Sequence, residues 1–177
     1  MINLLGKPAE IVFIAPGYEY GDGGNTTHVH LRHCSKPLVI HRPMKWVLKR
    51  LARAGDALTA VDKATLIRWL DHRQMLPIAL SPDLVFMPVH CRTAPHNLHD
   101  GCTAYINLAV LESEVIFPEH HTQRDKVYFE LDSGLVIHTA TNWETFNRHR
   151  NEARRVRDKL TERNLKNLLR FLRQFLM

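Results

Sequence analysis

The chain has 177 residues, 45% hydrophobic and 24% charged, with 24 Lys and Arg against 18 Asp and Glu, a net charge of +6 and a pI near 9.5. That is room for one domain with a real core and the composition of an ordinary globular protein, with a basic balance that favours polyanionic partners. Three cysteines (Cys34, Cys91, Cys102) without a secretory stretch, and no apolar run near the roughly 20 residues of a membrane span, argue against a disulfide scaffold and a membrane protein and for a reducing cytoplasm.

Residues 10–16 read as a buried strand, with Ile11, Val12, Phe13 and Ile14 stopped by Pro16. A Gly-rich turn follows, then the alternating strand HVHLRHC and a short strand from Pro37 to His41. Residues 44–54 change to helical spacing. Trp46 or Val47, Leu48, Leu51 and Ala54 form the apolar side, and Gly55 the stop. Residues 59–73 read as a second helix, capped by Thr59 or Asp62, with Ala60, Ala64, Ile67 and Leu70 or Leu66 buried.

A ladder of strands comes next: 78–80, 84–87, 105–111 and 115–117, with a polar loop over 92–101. Residues 126–131 and 135–140 flank Asp132-Ser133-Gly134, a hairpin pattern. Thr141 or Asn142 then caps a helix over 144–176 with no Pro or Gly. Ten bases against four acids make that segment +6. Its apolar stripe (Phe146, Ala153, Val156, Leu160, Leu165, Leu168, Leu169, Leu172, Leu176) is expected to cover the sheet. The expected architecture is a single α+β domain over 1–177. A mostly antiparallel sheet or partly open barrel carries two short central helices and a long basic C-terminal helix.

Of chemistry there is little. No G-x-S-x-G, P-loop or G-x-G-x-x-G occurs, so neither an enzyme nor a cofactor is expected. His90, Cys91, His96, His99 and Cys102 fall within 13 residues and are all zinc-ligand types, but their spacing matches no known finger or zincin. A zinc protein using the 90–102 loop is therefore an alternative rather than the expectation.

From Arg42 to Val156 the chain resembles the ComK family of competence transcription factors. The resemblance rests on L84-V85-F86-M87-P88, Cys102, Y105-I106-N107-L108, the hairpin V127-Y128-F129-E130-L131-D132-S133-G134 and W143-E144-T145-F146-N147-R148. Upstream, R42-P43-M44-K45-W46-V47 and Q74-M75-L76-P77-I78 are similar to two further family segments. The order of these short matches carries the weight. The family's Gly- and Arg-rich segment is replaced here by residues 53–65, which keep Lys63 but introduce Asp56 and Asp62.

The resemblance implies a DNA-binding activator of DNA-uptake genes, acting as a homo-oligomer on A·T-rich duplex, with a regulatory protein partner as a further possibility. The residues expected to meet phosphate are Lys45, Lys49, Arg50, Arg53, Lys63, Arg68, Arg148, Arg150, Arg154, Arg155 and Arg157. The competing expectation is a ComK-like interaction or oligomerisation module that uses its leucine seam and binds no DNA.

Overall fold

The structure is a computed structural model that describes residues 8–18, 25–54, 60–91, 102–113, 115–117, 126–131, 134 and 136–175. A 3-10 turn at Pro8–Glu10 leads into β1 (Ile11–Tyr18), followed by β2 (Asn25–Leu31) and β3 (Leu38–Ile40). Then come α1 (Met44–Ala54), α2 (Lys63–Leu70), β4 (Ile78–Ser81), β5 (Leu84–His90) and β6 (Thr103–Asn107). The chain continues through α3 (Leu108–Ser113), β7 (Val115–Ile116), β8 (Lys126–Leu131), β9 (Val136–Asn142) and α4 (Trp143–Phe175).

The first six strands form an antiparallel sheet in the order β3-β2-β1-β6-β5-β4, and the last three a second sheet, β7-β8-β9. The large sheet ends in β3 and β4 and does not close into a barrel, so the fold is α+β with an open sheet. Both its faces are covered. On one, Ile11, Ile14, Val29 and Phe86 pack with Val47 and Leu51 of α1. On the other, Phe13, Met87, Val89 and Ile106 pack with Leu66 and Leu70 of α2, Val127 and Phe129 of β8, and Phe146, Ala153, Val156 and Leu160 of α4.

Burial follows the sequence pattern. In β5 every residue from Leu84 to Val89 is buried, because both faces of this strand meet protein. In β8 exposed and buried residues alternate, because only one face does. The hairpin closes where expected: Gly134, at φ 75°, donates its N–H to the Leu131 carbonyl at 2.8 Å. Asn142 caps α4, its Oδ1 accepting from Thr145 N–H at 2.9 Å, and Asp62 caps α2 in the same way at 2.9 Å.

Four expectations need correction. Residues 105–111 are not one strand: β6 ends at Asn107 and α3 begins at Leu108. The cause is the Asn107 side chain, 2% exposed, whose amide donates to the Ile11 carbonyl at 2.9 Å while its Oδ1 accepts from Ala109 N–H at 3.1 Å. One side chain thus ties off the sheet and caps the helix. The second helix runs only from Lys63 to Leu70, ended by Asp71 in the left-handed conformation, and it buries Leu66 and Leu70 while Ala64 is exposed. β1 is not stopped by Pro16: it pairs Pro16 with Thr27 and runs on to Tyr18. On α1 the open choice falls to Val47, buried with Leu51, and Trp46 is 39% exposed. The leucine stripe of α4 covers the sheet only as far as Leu160; Leu165, Leu168, Leu169 and Leu172 lie in the open. Gly55, Thr59 and Leu176 lie outside the described residues.

Candidate nucleic-acid interface

The eleven expected phosphate contacts do not form one surface. Lys45, Lys49, Arg50 and Arg53 belong to α1 and lie on one side of the large sheet. Lys63 and Arg68 of α2, and the five arginines of α4, belong to elements packed on the other side.

The α4 arginines are largely committed within the fold. Arg154 Nε and Arg157 Nη1 each meet a different oxygen of Glu112 at 2.5 Å, a bidentate clamp between α3 and α4. Burial raises the pKa of the Glu112 carboxyl. The two arginines more than cancel that, holding it below the ordinary range. Arg150 is half-buried, with its guanidinium 5.7 Å from the centre of the Phe117 ring. Arg148 and Arg155 are exposed, but they share a shallow groove with two acids, Glu144 and Glu152, along with Asn147 and Asn151. Lys63 is exposed at the first turn of α2, and Arg68 is exposed and donates to the Thr65 hydroxyl at 3.0 Å.

Glu112→Gln removes the charge that the clamp needs. It is expected to cost about 1 kcal/mol, the scale of a partly exposed bidentate pair, read as a lower urea midpoint at neutral pH. In the wild type the clamp's contribution is present at neutral pH and is lost as pH falls through the lowered Glu112 pKa.

On α1 the arrangement is different. The helix starts at Met44, after Pro43, whose carbonyl accepts from Trp46 and Val47 N–H at 2.9 and 3.3 Å. With Val47 and Leu51 buried, the 3.6-residue turn sends Lys45, Lys49 and Arg53 to the opposite side as one i, i+4, i+8 row, all exposed. Beside the row stands Trp46, with the Arg50 guanidinium 5.4 Å from its ring centre. The helix contains no Asp or Glu. Among the described residues, no acid within ion-pairing distance of Lys45, Lys49, Arg50 or Arg53 is found.

Such a row is a local liability. Like charges four residues apart repel by roughly 0.2–0.5 kcal/mol per pair, and Lys45 also opposes the positive end of the helix dipole. The sequence held a signal for this surface that segment-by-segment reading passed over. Between Asp22 and Asp56 there is no acidic residue at all, while Arg32, Lys36, Arg42, Lys45, Lys49, Arg50 and Arg53 give +7.

Two histidines add a titratable component to the fold. His30 pairs with Phe13 across β1 and β2, ring centres 5.6 Å apart, and burial, then the neighbouring His28, lowers its pKa to about 4. His149 is 4% exposed with Nδ1 3.1 Å from the Pro88 carbonyl; burial lowers its pKa, against the opposing pull of Glu152. Both groups hold a proton more readily in the unfolded chain. Their stabilisation is therefore present above the unfolded pKa and is lost as pH falls below it, for His30 down to about pH 4. For His30 the loss is on the order of 2 kcal/mol after allowing for solvent screening. Urea midpoints measured between pH 7.5 and 4.5 are expected to fall, and His30→Phe to flatten that fall.

No group of three or more His, Cys, Asp or Glu is placed to hold a metal among the described residues, and His96 and His99 lie outside them. Cys91 and Cys102 meet instead through the backbone: Cys91 N–H and Sγ lie 2.8 and 3.2 Å from the Cys102 carbonyl oxygen. No helix among the described residues is long and apolar enough to cross a membrane. Comparison with known proteins returns no matching family model, no matching curated protein and no matching solved structure.

Proposed function

We propose that the protein is a cytoplasmic DNA-binding transcriptional regulator of the ComK-like type, acting as a homo-oligomer, and that α1 makes its main phosphate contacts. The observation that carries this reading is the row Lys45, Lys49 and Arg53 beside Trp46 and Arg50, on a helix without an acid. From Lys45 to Arg53 the row spans about 12 Å at 1.5 Å per residue. That is long enough for its two ends to reach phosphates on either side of a groove. Trp46 supplies an apolar edge next to the contact line, suited to stacking on or wedging against bases. Arg148 and Arg155 stand as a secondary contact, weakened by Glu144 and Glu152 in the same groove.

A gel-shift competition tests this. Labelled A·T-rich duplex is bound at low salt and challenged with unlabelled A·T-rich or G·C-rich duplex. Preferential displacement by the A·T-rich competitor supports the reading. Absence of any shifted band at low salt removes it in favour of an interaction module.

A further inference from the structure

α4 carries two apolar faces that serve different purposes. Phe146, Ala153, Val156 and Leu160 are fully buried against the sheet, and every residue from Leu165 to Gln174 is exposed. Leu165, Leu168, Leu169, Phe171 and Leu172 are 55, 53, 48, 54 and 44% exposed. At about 100° per residue they share an arc of about 160°, turned roughly 100° away from the core stripe. Phe171 continues the line of the core stripe, but extending the sheet would not cover Leu165, Leu168, Leu169 and Leu172. Arg163, Lys166 and Arg170 occupy the opposite side of the same turns, and Glu162 and Arg173 the flank of the apolar face.

We propose that this distal face is where a second copy of the chain docks, through antiparallel pairing of the two α4 ends. Five large side chains about half exposed amount to on the order of 500 Å², the upper end of what a monomer leaves in water. Two copies together bury about 1,000 Å², the threshold for a specific interface. Arg163, Lys166 and Arg170 stay in water on the outer side of the pair. Charge selects the orientation. The distal segment has one acid, Glu162 at its start, whose Oε1 is paired with Lys166 of its own helix at 2.5 Å, and Arg173 near its end. A crossing near Leu168 brings Glu162 beside the partner's Arg173, whereas a parallel pair stacks Arg170 and Arg173 on their own copies. This docking is independent of whether α1 binds DNA.

Sedimentation equilibrium of the full chain over about 1–100 µM tests it. The expected result is a reversible monomer–dimer equilibrium. Leu168→Asp with Leu172→Asp should abolish it, with circular dichroism unchanged and, at the lowest concentrations where the wild type is monomeric, the thermal midpoint unchanged because both residues are exposed. Glu162→Arg should weaken the dimer several-fold, and adding Arg173→Glu should restore it. A wild-type chain that is monomeric throughout, or a dimer that survives the leucine substitutions, overturns the proposal. Failure of the double swap to restore the dimer overturns the antiparallel pairing. A monomer that adsorbs to phosphatidylglycerol vesicles, and loses this with the leucine substitutions, assigns the face to lipid and also overturns it.

Discussion

Replacing Lys45, Lys49 and Arg53 together by Glu is expected to lower affinity for duplex DNA by about 10²–10³-fold, with no loss of stability. Three phosphate contacts disappear and three repulsive charges take their place. The fold does not need these residues: all three are exposed, and the core side of α1 is Val47 and Leu51. Stability is expected to move the other way in the single variant. Lys49→Glu puts an acid four residues from both Lys45 and Arg53, turning two repulsions into two attractions worth a few tenths of a kcal/mol each. A variant that melts slightly higher and binds more weakly is the signature of a site held against the interest of the fold. Reversal at Arg154 and Arg157 should do the opposite. It strands Glu112, lowers the urea midpoint, and leaves most DNA affinity in place.

The largest effect on stability is expected at Phe146. Its ring is fully buried, stacked on Trp143 at 5.9 Å, and in contact with Phe117 and Phe129 at 5.9 and 6.3 Å. These rings join α4 to the second sheet and to the face of the large sheet that α1 does not cover. Phe146→Ala should cost about 3–5 kcal/mol by urea denaturation, from lost burial and the cavity left behind. For a domain of ordinary stability, about 5–15 kcal/mol, that is about a fifth of the total or more. Leu172→Ala, on the same helix but 44% exposed, should change monomer stability by less than about 0.5 kcal/mol. The contrast between two apolar residues of one helix separates the half of α4 that builds the fold from the half that projects from it.

Much of this fold was legible locally. Strand alternation in β8 and β9, the Gly134 turn and the Asn142 cap are short-range patterns, and the chain obeys them. What was not legible depends on contacts distant in sequence. Leu108-Ala-Val-Leu reads equally well as strand or helix, and the choice is made by Asn107 reaching Ile11, 96 residues away. Leu165, Leu168 and Leu172 have the spacing of a buried stripe, but periodicity does not say what covers a face, nor that the face has turned away from the core. Arg154 and Arg157 look like free cations until Glu112, 42 and 45 residues upstream, folds against them. The candidate site was half legible: the residues of α1 were named among the others, but their separation from α4 by the thickness of a sheet is a property of topology.

A phosphate-contacting α1 makes DNA binding fall with salt at a slope set by its cations. Fluorescence anisotropy of a labelled A·T-rich duplex, titrated with the wild-type chain between about 50 and 200 mM salt, gives the slope of log K against log salt. Four cations on α1 predict saturable binding with a slope of about −3 to −4, made shallower by about three in the Lys45→Glu, Lys49→Glu, Arg53→Glu variant. Absence of saturable binding at the lowest salt, or an equal slope for wild type and variant, contradicts it.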